Sequence, residues 1–138
     1  MKKPKVNDVF KYHFSFKEED VIAFAKISGD VNPIHISESY SKNSIFGRCI
    51  VHGYFSISIF SKVYGTKLYP EQHILMSQNA KYYKPIFTGV EYTAVFTVKE
   101  LYPDKNSVLY LNEIYEKESL ELKVSGEAVL MNKKFYIW

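Results

Sequence analysis

The sequence predicts an α+β domain with a largely antiparallel sheet. Three observations carry this expectation: helix signals are confined to the first half, four long strand-like stretches follow one another in the second, and 138 residues suit one packed domain spanning 1–138. A composition of 46% hydrophobic and 17% aromatic residues, with 6 Gly and 5 Pro, is that of a globular core and not of a linker.

Residues 9–16 (VFKYHFSF) alternate aromatic and polar side chains with a period near two, the pattern of a half-buried strand. A helix follows. Ser15 and Glu18 have capping-box spacing, Glu18, Glu19 and Asp20 suit a helix amino terminus, and Val21, Phe24, Ala25 and Ser28 share one face. Gly29 should stop it. Between Gly29 and Gly47, the glycines, Asn32, Pro33, Asn43 and four serines leave room for at most one short helix, around residues 38–42. Long polar excursions of this kind inside a compact domain are uncommon and often functional. The stretch 51–64 (VHGYFSISIFSKVY) is dense in apolar residues and ends at Gly65, but periodicity alone leaves helix and strand both open. Strands are then expected over 73–83, 91–101, 107–116 and 120–131, with turn signals at Pro85, Thr88-Gly89, Pro103-Asp104 and Asn106.

Charge excludes little beyond nucleic acid. The net +3 comes from 18 basic and 15 acidic residues spread along the chain, with no basic stripe interleaved with aromatics. The longest apolar-rich stretch, 50–64, is interrupted by His52, three serines and Lys62, short of the ~18 residues that a membrane helix needs. MKKPKVND has lysines but no apolar segment of a secretory signal, so a cytoplasmic location is expected. The single cysteine, Cys49, has no partner for a disulfide or a metal motif and reads as a small, partly buried hydrophobe. With no Cys/His ligand spacing and no glycine-rich nucleotide loop, neither a metal nor a redox cofactor is expected.

Chemistry concentrates in SGDVNPIH. Asp30, Asn32 and His35 stand together in a loop flanked and interrupted by Gly29 and Pro33, so a carboxylate and an imidazole can face one point. Such a pair flanking one water is the usual equipment for general acid–base work near neutral pH. Taken alone, these are also ordinary turn residues. His52-Gly53 opens the next apolar stretch. If that stretch is a helix, the Gly53 N–H is a candidate oxyanion donor, and close packing of helix on sheet is its other explanation.

The run from Phe24 to Gly65, FAKISGDVNPIHISESYSKNSIFGRCIVHGYFSISIFSKVYG, resembles the MaoC-like hydratases, and QNAKYYKPIFTG (78–89) is similar to the strand and turn that follow in that family. The resemblance implies a hot-dog fold, an antiparallel sheet wrapped around one long central helix formed by 51–64, usually assembled as a homodimer. It implies (R)-specific hydration of trans-2-enoyl thioesters or the reverse dehydration, with CoA or acyl carrier protein as the thioester carrier. Asp30 and His35 would activate the water and Gly53 would donate its N–H to the thioester oxygen. Asn32 and Ser61 would orient the pair or line the acyl tunnel, and Ser61 is otherwise a small residue packed under the sheet. The chain departs from the family pattern at Ser37 and Val90, where acidic residues are common, and at LYPEQ, which lacks the usual Gly. A hot-dog thioesterase and a non-catalytic acyl-thioester binding module are the competing expectations.

Overall fold

Period-two patterning decides which face of the sheet is buried. The computed structural model describes residues 3–68 and 73–138. Among them β1 (Val9–Phe14), β2 (Ile74–Gln78), β3 (Lys81–Tyr82), β4 (Tyr92–Tyr102), β5 (Ser107–Glu116) and β6 (Leu122–Met131) form one antiparallel sheet. The order is β1-β4-β5-β6-β2, and β3 pairs with β6 beyond the end of β2. Facing rows such as Ala94–Ile114–Val124 and Val98–Tyr110–Ala128 are buried to 3% exposure or less, because alternate residues of three long strands all point to the same side.

That side holds the long helix α4 (Gly53–Val63), whose Ile59, Phe60 and Val63 are buried. Phe60 meets Phe96 edge-on at 5.6 Å, and Tyr64, just beyond the helix, meets the same ring at 5.4 Å. A sheet curled around one apolar helix is the arrangement expected. Residue 65 does not end the helix abruptly: Tyr64–Leu68 continues as a π turn, so Gly65 acts within a widened turn and not as a stop. The LYPEQ departure falls largely on 69–72, outside the described residues.

The first half holds α1 (Glu18–Ser28), α2 (Pro33–Ile36) and α3 (Glu38–Ser41). Two short helices therefore stand where at most one was expected. Pro33 sits at the first position of α2, where its missing N–H costs nothing, and the Asn32 side chain accepts the Ile34 N–H at 3.2 Å. The start of α1 also differs: its cap is Lys17, whose N–H donates to the Asp20 carboxylate at 2.9 Å, so the Ser15–Glu18 box does not form. Gly29 ends α1 at φ 80°, with its N–H donating to the Ala25 carbonyl at 3.0 Å.

The expected strand over 73–83 is split, because Asn79 leaves the ladder. Its backbone oxygen would lie 2.0 Å from a Cβ at residue 126, so only Gly126 admits this crossing. No helix among the described residues is long and apolar enough to cross a membrane.

Candidate active site

The loop after α1 is tied by its own side chains. Ser28 Oγ accepts the Asp30 N–H at 3.1 Å, and Asp30 Oδ1 accepts the Asn32 N–H at 3.3 Å. Asn32 thus meets the Asp30 carboxylate with its main-chain N–H, while its side chain caps α2. The second carboxylate oxygen of Asp30, Oδ2, faces His35 Nε2 at 3.9 Å.

His35 is fixed from its other nitrogen. Nδ1 lies 2.8 Å from the Ile50 carbonyl, and a carbonyl only accepts, so Nδ1 carries the proton. With Nδ1 committed, the neutral form of this ring would present Nε2 as a lone pair toward Asp30. A gap of 3.9 Å is too long for a direct hydrogen bond, yet one oxygen about 2.8 Å from each group spans it. The His35 side chain is 10% exposed and that of Asp30 50%, so the gap opens to solvent on the carboxylate side.

Gly53 is the first residue of α4. No side chain caps this helix, so its first-turn amides keep their positive ends directed outward. The close approach at Gly53 is made by Tyr82, whose O–H donates to the Gly53 carbonyl at 2.7 Å and whose ring atoms would lie 3.1–3.3 Å from a Cβ at this position. Gly53, Ser56, Ile50, Ile86, Phe46 and Tyr82 border a cavity of about 350 Å³. His35 and Ile50 border a second one of about 170 Å³, with Arg48 and Cys49. Ile50 is the partition between them. Ser61 is exposed, eight residues along α4 from Gly53, or about 12 Å at the helical rise, and does not join the cluster around Asp30.

Sequence reasoning named the His52-Gly53 pair but gave the histidine no part. His52 is 1% exposed, and its Nε2 donates to the Asp30 carbonyl at 2.9 Å. Its ring stacks on that of His35, with centroids 3.9 Å apart and planes at 28°. Tyr82 was missed as well, since a tyrosine in a strand-like stretch carries no signal of its partner. Asp30, His35 and His52 each offer one donor atom within 4.8 Å of one another. His35 Nδ1 and His52 Nε2 are both committed to main-chain oxygens, so the atoms left to a metal ion would be His35 Nε2 and His52 Nδ1 beside the Asp30 carboxylate. Cys49 is half-buried and donates to Ser41 Oγ at 3.3 Å, with burial pushing its thiol pKa up, as a packed cysteine requires. Ser37 caps α3, accepting the Tyr40 N–H at 3.3 Å, so the first departure from the family pattern serves the local turn.

A model of the family described as MaoC-like domain matches residues 2–113. The chain is 32% identical over 117 residues to an (R)-specific enoyl-CoA hydratase of Rhodospirillum rubrum, covering 85% of this chain and 80% of that one. It is 35% identical over 115 residues to an (R)-specific enoyl-CoA hydratase of Aeromonas caviae, covering 83% and 85%. In three dimensions it is similar to the crystallised (R)-hydratase from A. caviae involved in PHA biosynthesis, with a TM-score of 0.88 and 31% identity over 95% of this chain and 98% of that one. The fold is the hot-dog fold.

Proposed function

The chain belongs to the family of MaoC-like domains, and from that premise we propose that it is a hydro-lyase adding water to a trans-2-enoyl thioester, or removing it from the (R)-3-hydroxyacyl thioester. The observation that carries the reading is the facing of Asp30 Oδ2 and His35 Nε2 across 3.9 Å, with the Nδ1 proton of His35 committed to the Ile50 carbonyl.

Both facing atoms are acceptors, so a water between them directs its two protons at the pair and its lone pair away from it. During hydration the water oxygen bonds C3, one O–H bond breaks toward the pair, and the pair returns a proton to C2. The site ends in its starting protonation state. Negative charge gathers meanwhile on the thioester oxygen, where the Gly53 N–H and the positive end of α4 receive it, a contribution of about 3 kcal/mol for one good donor. Asn32 orients the carboxylate. Ser61, exposed about two turns further along α4, would meet the acyl chain only beyond the cavity beside Gly53. Every step uses side chains and a main-chain N–H of this chain and the water itself, so the reaction asks for no cofactor beyond the CoA or acyl carrier protein that carries the acyl group.

The working unit in this reading is a homodimer. The edge strand β2 exposes Ile74, Leu75 and Met76 at 50–57%, an apolar edge that a second copy of the chain would cover. The test is a direct hydration assay on crotonyl-CoA and longer enoyl-CoAs, followed by loss of the enoyl-thioester absorbance. Turnover to a 3-hydroxyacyl product supports the reading. Release of free thiol without hydration would overturn it in favour of a thioesterase.

A further inference from the structure

We propose that His52 is a positioning residue for this chemistry, one that clamps the Asp30–His35 loop onto the amino terminus of α4. The inference rests on the hydratase reading above and adds a residue to it.

His52 occupies the cap position of α4, where Ser, Thr, Asp or Asn would bond the first-turn amides, yet it makes no cap bond. Its imidazole is spent on the loop instead. Nε2–H donates to the main-chain oxygen of Asp30 at 2.9 Å, reaching back across 22 residues of sequence. One ring face lies against His35 at 3.9 Å, and Phe24 meets the ring edge-on at 4.8 Å, so the imidazole is gripped between the α1 side and the catalytic loop. His35 is thereby held at two places: its Nδ1 by the Ile50 carbonyl and its ring plane by His52. Those two constraints aim Nε2 at Asp30. The same ring begins the helix whose next residue is Gly53, so one side chain sets the distance between the water-activating pair and the oxyanion donor.

A second observation separates this role from plain packing. His52 Nδ1 is buried and has no hydrogen-bond partner among the described residues, an energetic cost that an apolar residue of similar size avoids. Stability alone does not favour a histidine here; its one bond and its flat ring face do.

The experiment compares His52→Leu, His52→Gln and His52→Asn in the full chain. Gln carries its amide N–H where Nε2–H sits, whereas Asn reaches only as far as Nδ1. Because misplacing a reacting group by ~1 Å costs about 100-fold, H52L is expected to lose roughly that factor in kcat, with KM nearly unchanged and a melting temperature at or above wild type. H52Q is expected to recover about tenfold over both H52L and H52N. Wild-type kcat in H52L, or equal kcat in H52Q and H52N, would overturn the proposal. A readout independent of turnover is the imidazole ¹⁵N spectrum: the His35 Nδ1–H signal should be sharp in wild type and broadened or lost in H52L, and an unchanged signal counts against the clamp. An inactive wild-type protein would defeat the hydratase reading and leave this spectroscopic test standing.

Discussion

His35 and His52 lie face to face, ring centroids 3.9 Å apart and planes tilted by 28°. One belongs to the turn of α2 and the other stands at the N-cap position of α4, so the contact joins the loop that holds Asp30 and His35 to the helix that begins at Gly53. Polar bonds run beside it: Nδ1 of His35 to the Ile50 carbonyl and Nε2 of His52 to the Asp30 carbonyl, each from a ring nitrogen to a main-chain oxygen. Loop and helix are thereby tied by two side-chain hydrogen bonds and one ring contact, the kind of fixing that the proposed chemistry would need to hold water and thioester in register.

Gly53→Ala should damage activity more than stability. The added methyl would meet the Tyr82 ring at 3.1 Å, but that ring is the half-exposed end of a mobile side chain and can swing aside, losing its 2.7 Å bond to the Gly53 carbonyl. The stability cost is about 1 kcal/mol. The methyl then stands beside the amide proposed to bind the thioester oxygen, and a lost oxyanion donor costs about 100-fold or more in kcat. Tyr82→Phe removes the same bond without the methyl and should keep near-wild-type kcat. Equal kcat in G53A and wild type contradicts the oxyanion assignment.

Gly126→Ala should destabilise the fold itself. A Cβ there would sit 2.0 Å from the Asn79 carbonyl oxygen and 2.9 Å from its carbon, both backbone atoms. Asn79 is held on both sides, by its N–H to the Glu127 carbonyl and by its side-chain oxygen to the Glu127 N–H, each at 3.0 Å. Relief therefore means breaking the join of β2 and β3 to β6. A loss of about 3 kcal/mol or more is expected in chemical denaturation, and an unchanged midpoint would show that the crossing is softer than described.

Lys123 gives the protein a pH-dependent strut. It is nearly buried on β6, with Glu121 at 2.5 Å and Glu116 at 3.3 Å. Burial opposes its charge, but the hydrogen bonds and charges of Glu121 and Glu116 outweigh burial and hold its pKa above the ordinary 10.5. The Lys123 hydrogen bond and charge hold Glu121 below its ordinary 4.5. The carboxylate's contribution is present above about pH 4.5 and fades as pH falls through its lowered folded value. That of the ammonium is complete below about pH 10.5 and fades as pH rises through its raised folded value. The melting-temperature difference between wild type and Lys123→Met should thus be most favourable to wild type near neutrality and decline toward pH 3 and pH 11. A difference independent of pH contradicts the assignment.

The sheet was legible because period-two alternation survives in single sequences: the strand over 107–116 was placed to the residue, and those over 91–101 and 120–131 within two residues. What escaped was set by contacts distant in sequence. The break at Asn79 follows from Gly126 on another strand, and nothing local announces it. The short helix expected around residues 38–42 is α3, but α2 was hidden because Asn32 and Pro33, which signal a loop, also cap and start a short helix. At the site, Asp30, Asn32 and His35 were visible as a motif within eight residues. The stacking of His52 on His35 needed the chain to return, and so the histidine beside Gly53 had no part until the fold supplied one.

The central claim is that Asp30 and His35 jointly activate a water for addition to an enoyl thioester. Its most direct test is the steady-state hydration rate of crotonyl-CoA in wild type, Asp30→Asn and His35→Ala, with circular dichroism checking that each variant stays folded. General acid–base groups contribute about 10²–10⁴-fold, so each single variant should lose kcat by that order while remaining folded. Wild-type turnover in either folded variant would contradict the account.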